Sequence, residues 1–307
     1  MSKYSDFDNS AIRAGLGASR RMKRYQKYTY NDFTKTKGLY VAAAGGGVGA
    51  VSDTNVNQLH MPNGGYYEVR LEQDFAGAAP QLKFHESAAN NRGMELFVDD
   101  ADGEGIAFTP GDAAPVAAAG AKNVFTVGTD LDFFARVVFR LDDVSDVDTC
   151  GLGWVQATQG LIDTALFTAY DDVFAINVDA GDIKTIVDLN NAGPTTTDTT
   201  DNMADNDTIA IEIRVSKGGW ARAYVKVDTA SALAPELPIL TANDVPTTDS
   251  VAHQFDSGDE IMPVFQMVST AATPEISILE WESGYMLDRG LSSIADFGEE
   301  PYDDGTK

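Results

Sequence analysis

The sequence is poor in the residues that hold disulfides and metal ions. Cys150 is the single cysteine, and His60, His85 and His253 are the three histidines. One cysteine excludes an intramolecular disulfide framework, and these four residues are not spaced as ligands of structural zinc. The sequence also lacks an apolar run of about 18 residues and the charged, apolar and small-residue blocks of a signal peptide. We therefore expect a soluble, folded protein without a membrane-spanning segment.

Basic residues are scarce and unevenly placed. The chain has 22 Lys and Arg against 47 Asp and Glu, a formal net charge of -25. Nine of the basic and three of the acidic residues precede Gly38, so residues 1–37 carry a net charge of +6 and the remainder carries -31. An acidic body repels nucleic acid and anionic membranes. We expect neither as a partner of the body.

Residues 1–37 are predicted to form a basic N-terminal arm, weakened as a helix by Gly15 and Gly17. It mixes basic residues with tyrosines, and the candidate docking residues are Arg13, Arg20, Arg21, Lys23, Arg24, Tyr25, Lys27 and Tyr28. Such a set can bind phosphates and stack on bases, or it can pair with an acidic protein surface. The arm has too few apolar residues for a membrane-surface helix. We predict that it docks onto a protein.

Beyond the arm, apolar and polar residues alternate with the period of a β-strand. TIAIEIRV (208–215) and WARAYVKV (220–227) are joined by SKGG, which predicts a β-hairpin. The stretches FFARVVF and MPVFQMV predict central strands, and no segment shows a long helical period. The fold class expected is all-β, an antiparallel jelly-roll or concanavalin-like sandwich.

Small-residue and polar segments divide the chain. We predict a basic arm (1–37), an N-terminal β region (38–121) that is either separate or part of the same sandwich, the main β-sandwich (122–288) and an acidic tail (289–307). The segment GPTTTDTTDNMADND (193–207) is predicted to be a polar loop because it is rich in Thr and Asp.

Two acidic segments are candidate calcium sites, since Ca²⁺ prefers oxygen ligands. In DADGEGIAFTPG (100–111), Asp100, Asp102 and Glu104 match the first, third and fifth positions of an EF-hand loop, but Gly111 replaces the glutamate at the twelfth. The alternative there is an acidic turn. No cofactor is otherwise expected.

The second acidic segment follows FFARVVFRL and holds Asp142, Asp143, Asp146 and Asp148. These residue types also close ordinary turns. We interpret them as a hairpin turn at the rim of the sandwich, with Gly151 and Gly153 permitting close strand approach afterwards.

Catalytic signatures are few. Glu280 and Glu282 have the period-two spacing of a glycosidase carboxylate pair, but alternating glutamates on a solvent-facing edge strand look the same. No Ser, His and Asp set or phosphate-binding loop is present. We predict that the chain is not an enzyme. Trp220, Tyr224 and Trp281 are candidate glycan contacts if they share an exposed face, and packed core residues otherwise.

The order of these blocks resembles a family of tailed-bacteriophage virion structural proteins, many of them from marine phages. The blocks are FFARVVFRLDDVSDVDTCGLGWVQ, DVFAINVDAGDIKTIVDLNN, the Thr and Asp segment with its following hairpin, and IMPVFQMVST. The resemblance covers roughly residues 28 to 287. The long basic arm and the strands between Tyr66 and Val98 depart from the family pattern, which leaves the position on the particle open.

The resemblance implies a jelly-roll or lectin-like sandwich used as a virion building block. It implies a capsid decoration or cement protein at the capsid surface, docked on the major capsid protein through its arm and assembled as a homotrimer. No catalytic residues follow from it. The alternative is a carbohydrate-binding head or tail module that contacts the host surface.

Overall fold

The computed structural model describes residues 29–33, 40–41, 57–60, 66–72, 81–84, 93–97, 105–111, 124–159, 161, 167–228, 253–270 and 275–286. These ranges contain strands and short 3-10 turns but no α-helix. The predicted arm residues Arg13 to Tyr28 lie outside the described residues, as do Asp100, Asp102, Glu104 and the acidic tail.

Eighteen strands occur within the described ranges. In chain order they are β1 (Thr29–Asp32), β2 (Tyr40–Val41), β3 (Asn57–His60), β4 (Tyr66–Glu72), β5 (Gln81–Phe84), β6 (Met94–Phe97), β7 (Gly105–Pro110), β8 (Phe125–Thr126), β9 (Phe133–Leu141), β10 (Val147–Gln156), β11 (Val173–Asp179), β12 (Asp182–Asp188), β13 (Thr195–Asn202), β14 (Thr208–Val215), β15 (Trp220–Asp228), β16 (His253–Gln254), β17 (Glu260–Ser269) and β18 (Glu275–Tyr285).

In the described part of the chain these strands form two antiparallel sheets. The eight-stranded sheet has the order β16-β15-β14-β9-β18-β6-β5, with β1 also paired to β18. The ten-stranded sheet has the order β13-β12-β11-β10-β17-β7-β4-β3-β2, with β8 also paired to β17. This arrangement confirms the predicted all-β sandwich of the jelly-roll or lectin-like type.

The core lies between the two sheets and follows the predicted alternation. Strand β14 buries Ile209, Ile211, Ile213 and Val215 in it. Trp154 crosses from β10 of the ten-stranded sheet and donates its indole N–H to the Ile213 carbonyl at 3.3 Å. Burying such side chains contributes about 2 kcal/mol each, which makes the interface between the sheets the main source of stability.

The predicted hairpin and central strands are confirmed. Strands β14 and β15 pair in register from Thr208 opposite Asp228 to Val215 opposite Ala221. Strand β9 lies between β14 and β18, and β17 lies between β10 and β7. Successive residues of both strands are buried, so both faces are covered over most of their length, which explains their nearly continuous apolar sequences.

Strands from the predicted N-terminal region and the end of the predicted arm pair into the same two sheets. Strand β7 pairs with β17, and β6 pairs with β18. Residues 29–33 belong to the predicted arm, yet β1 pairs with β18, and Phe33 is buried with its ring centroid 6.0 Å from that of Tyr67. A truncation after residue 37 would therefore remove part of the sandwich.

Two segments read as loops are strands. The Thr and Asp segment contains β13, a mostly exposed strand at the edge of the ten-stranded sheet, paired with β12. Threonine is β-branched and favours extended backbone, and an edge strand needs only one partner and little burial. Likewise GIAFTP is the fully buried β7. The candidate calcium ligands Asp100, Asp102 and Glu104 precede this strand and lie outside the described residues, so calcium binding there stays a prediction.

Candidate binding surface

The three tryptophans of the chain have different environments. Trp154 and Trp281 are fully buried, whereas Trp220 is 49% exposed. The ring centroids of Trp281 and Phe108 are 5.5 Å apart, within the core. Trp281 therefore does not share an exposed face with Trp220, and the predicted set of three glycan contacts is reduced to Trp220 and the partly buried Tyr224.

Trp220 begins a row of alternating aromatic and basic residues on β15. Ala221, Ala223, Val225 and Val227 of this strand pack toward the core. The residues between them therefore share the outer face of the eight-stranded sheet, the face turned away from the other sheet. We call this row the β15 stripe, and its members are Trp220, Arg222, Tyr224 and Lys226. Trp220 and Arg222 are exposed.

Within the β15 stripe, Tyr224 is held by neighbouring side chains on β14. The Arg214 guanidinium lies over the Tyr224 ring, with Cζ 4.1 Å from the ring centroid. Its Nε lies 2.6 Å from Oε1 of the fully buried Glu212. This contact compensates the charge of Arg214 and leaves Arg222, directly opposite it in the sheet, as the exposed cation of the pair.

The turn that carries Trp220 is closed by its own hydrogen bonds. The Trp220 N–H donates to Ser216 Oγ at 3.1 Å, and the Ser216 N–H donates to the Trp220 carbonyl at 2.9 Å. Gly219 has φ +86°, and a Cβ there would lie 2.1 Å from the Phe255 carbonyl oxygen. Glycine is required at this position because only it combines that backbone with such close approach.

Two neighbouring loops hold the same turn from outside. The Lys217 N–H donates to Asp132 Oδ1 at 2.7 Å, and the Gly128 N–H donates to the Lys217 carbonyl at 2.9 Å. On the other side, Gln254 Nε2 donates to the Gly218 carbonyl at 2.9 Å. The backbone under Trp220 is therefore preorganised, which lowers the entropy cost of binding.

An acidic group lies at the same rim of the sandwich. Asn190 has φ +55°, donates its backbone N–H to Asp172 Oδ1 at 2.6 Å, and donates Nδ2 to Asp256 Oδ2 at 3.2 Å. Burial, with further contributions from nearby Asp172 and Asp256, raises the pKa of Asp259. In the described ranges no group of three or more His, Cys, Asp or Glu side chains is arranged to hold a metal ion.

The glutamates of the glycosidase hypothesis lie inside the structure. Glu280 and Glu282 are each 3% exposed, on β18, which has partners on both sides. Arg136 Nη1 lies 3.1 Å from Glu280 Oε1. The interpretation of the pair as a solvent-facing edge is wrong. Glu280 is therefore buried as one member of an ion pair.

The acidic corner is an arch and not a hairpin. Strand β9 belongs to the eight-stranded sheet and β10 to the ten-stranded sheet, so the chain crosses between sheets at this point. Asp143 Oδ1 accepts from the Ser145 N–H at 2.9 Å and from Ser145 Oγ at 2.7 Å, and these bonds lower the pKa of Asp143. The carboxylate shapes the crossing, as a turn residue does.

The predicted close approach after the corner is confirmed. A Cβ on Gly151 would lie 1.9 Å from the Ile176 carbonyl oxygen of β11. A Cβ on Gly153 would lie 2.7 Å from the Phe167 ring, which packs on the outer face of the ten-stranded sheet. Glycine at both positions is required by packing.

Sequence reasoning missed Lys217 and Arg222 as members of this surface. For Arg222 the signal was available in WARAYVKV (220–227), where every second residue is aromatic or basic, whereas Lys217 precedes that stretch. This signal was outweighed because the same alternation also predicts the hairpin.

Among the described residues no helix is long and apolar enough to cross a membrane.

Comparison with protein-family models and with curated proteins finds no match. Several solved structures are similar in fold. The carbohydrate recognition domain of Emp47p is 11% identical with a TM-score of 0.42, over 88% of this chain and 99% of that one. A protein of unknown function from Shewanella oneidensis MR-1 is 9% identical with a TM-score of 0.35, over 78% and 92%.

The structure described as HCR/D-Sa-GBL1/C is 10% identical with a TM-score of 0.36 and covers 82% of this chain. This chain spans only 49% of its length. At these identities and TM-scores the likenesses carry no functional inference.

Proposed function

We propose that this protein is a non-enzymatic binding module that recognises carbohydrate through Trp220 and the β15 stripe. The observation that carries the proposal is a half-exposed indole on a hydrogen-bonded turn. The apolar C–H face of a sugar ring packs well on an indole face, and the rigid side chain costs little conformational entropy to order.

The exposure of Trp220 has an energetic cost that a ligand would recover. A buried tryptophan removes roughly 200 Å² from water, so leaving half of it exposed forgoes about 2.5 kcal/mol at 25 cal/mol per Å². Trp154 and Trp281 are fully buried in the same sandwich. A sugar ring stacked on the Trp220 indole would recover part of that stabilisation on binding.

The test uses the tryptophan fluorescence of the full-length protein. Because Trp154 and Trp281 are buried, quenching by acrylamide reports mainly on Trp220. A panel of immobilised oligosaccharides identifies ligands, and a soluble ligand should then protect Trp220 from quenching. Trp220→Ala should lose at least roughly tenfold in affinity, about 1.4 kcal/mol of stacking.

Leu131→Ala is the matched control. Leu131 is also 49% exposed, and its loop contacts the Trp220 turn through the Gly128 to Lys217 hydrogen bond. Sugar binding should survive this change. Loss of sugar binding in both variants would mean that binding depends on the joined loops and not on stacking against Trp220, and absence of any glycan ligand would refute the proposal.

A second proposal is the capsid decoration role, which the separation of charge in the sequence favours. A segment of net charge +6 precedes a body of -31, and a basic extended segment can bind across acidic neighbours. Binding to DNA-free capsid shells should be lost when Arg20, Arg21, Lys23 and Arg24 are changed together to Gln. This variant leaves β1 intact. Equal cosedimentation of variant and native protein would refute the role of the arm.

A further inference from the structure

Among the Lys and Arg side chains that the structure describes, two beside Trp220 differ from the others. Elsewhere the charged side chains contact acceptors, as in the pairs Arg136 with Glu280, Lys184 with Asp179, Arg214 with Glu212, and Arg140 with Asn206. The side chains of Lys217 and Arg222 have no hydrogen bond or ion pair to any described residue. In a chain of net charge -25 this is unexpected, because carboxylates outnumber cations about two to one.

Both cations lie close to Trp220. Arg222 is two residues along the same face of β15, a separation of about 7 Å. Lys217 is in the turn that the Ser216 and Trp220 hydrogen bonds close. A sugar ring stacked on the indole would therefore have substituents within reach of a guanidinium on one side and an ammonium on the other.

The placement of Arg222 is costly without an anion. It lies directly opposite Arg214 in the sheet, and like charges in that position repel. Glu212 offsets the charge of Arg214, but nothing described offsets that of Arg222. A planar guanidinium binds carboxylate or sulfate through two parallel hydrogen bonds, which would relieve the repulsion.

We infer that the ligand of this surface is an acidic glycan, in which Trp220 stacks on a sugar ring while Arg222 and Lys217 bind its carboxylate or sulfate groups. The inference rests on the proposed function and narrows it to a substrate class. Single-stranded nucleic acid also offers rings and anions, but it needs several exposed stacking side chains and a continuous basic groove. Among the described residues one aromatic side chain, Trp220, is about half exposed, and the acidic body repels a dense polyanion.

The experiment compares matched oligosaccharides on the full-length protein by calorimetry: a neutral one, its carboxylated form and its sulfated form, with an oligothymidylate as the nucleic-acid probe. An acidic form should bind roughly 10-fold to 100-fold tighter than the neutral form, as expected for a charge-assisted hydrogen bond. Arg222→Gln should remove this preference, because it lowers the affinity for the acidic forms far more than the affinity for the neutral form. Arg222→Lys should retain part of it, and the control Arg140→Gln should retain all of it.

The outcomes distinguish failure of the acidic-glycan inference from failure of the carbohydrate proposal on which it rests. Equal affinity for neutral and acidic forms, with loss only in Trp220→Ala, would overturn the acidic-glycan inference and leave the carbohydrate proposal standing. Absence of binding to every oligosaccharide would overturn both. Tighter binding of the oligothymidylate, lost in Arg222→Gln, would identify nucleic acid and overturn the inference.

Discussion

His253 should make the stability of the sandwich depend on pH. The side chain is 1% exposed, and its ring lies between Phe174 of the ten-stranded sheet and Phe255, with centroid distances of 4.9 and 4.6 Å. Neither ring nitrogen has a hydrogen-bond partner. Burial therefore lowers the pKa of His253 to about 4, from an ordinary value of 6.5.

The direction and size of the effect follow from linkage. The unfolded chain binds a proton at His253 below about pH 6.5, whereas the folded chain resists protonation until about pH 4. Stability is therefore complete above the unfolded pKa and declines as pH falls through this window. The full difference of 2.5 units corresponds to about 3.4 kcal/mol, and lowering the pH from 7.5 to 5 should cost about 2 kcal/mol.

The assay is urea denaturation of native protein and of His253→Phe at pH 7.5 and pH 5. Phenylalanine keeps an apolar ring between the two aromatic neighbours and cannot be protonated, so the variant should lose about 2 kcal/mol less than the native protein on acidification. Carboxyls with raised pKa values, such as Asp146 and Asp259, have the opposite effect on stability. They titrate in both proteins and cancel in the comparison. An identical loss in native protein and variant would refute the reasoning.

Three further substitutions test the packing and ion pairs. Gly153→Val should lower the free energy of unfolding by about 2 kcal/mol in thermal unfolding, because its Cβ would lie 2.7 Å from the Phe167 ring and 2.9 Å from the Ala175 Cβ. Gly218→Ala is the control, since a Cβ there would lie 3.8 Å from its nearest atom. Arg136→Ala should cost about 3 kcal/mol in urea unfolding by leaving Glu280 buried without that ion pair, whereas Arg222→Ala on the same face should cost little. Asp143→Ala should lower the free energy of unfolding by about 1 kcal/mol at pH 7, because it removes the hydrogen bonds from Ser145. The difference in unfolding free energy between native protein and variant should shrink as pH falls through the range in which carboxyls are protonated, and a constant difference would contradict this role.

The regular strands could be predicted because burial on one face imposes a period of two. In β14 and β15 that period is visible over eight residues and fixes both the pairing and the side that faces the core. The central strands β9 and β17 were predictable for a different reason, since strands buried on both faces have apolar residues in succession.

Strands without that signal were missed. Strand β13 is mostly exposed, so its Thr and Asp residues carry no apolar pattern, and β7 is short and follows an acidic segment that suggested a metal loop. The arch at Asp143 was read as a hairpin because a turn sequence specifies local backbone but not which sheet the next strand joins. Glu280 and Glu282 show the same limit, since period-two glutamates look alike whether solvent or protein covers them.

The candidate surface carries local positive charge, whereas the composition of the whole chain shows only a net negative charge. A net charge of -25 describes a protein that repels anions at long range, yet Lys217 and Arg222, two cations without an acceptor among the described residues, lie next to the half-exposed Trp220. At physiological salt the repulsion from distant carboxylates is screened beyond about 8 Å, whereas contacts of a guanidinium with an anion at 3 Å are screened little. Local and global charge thus act over different distances. Under the proposal of an acidic glycan, Arg222 and Lys217 would act on the bound anion at close range, where the distant carboxylates have little effect.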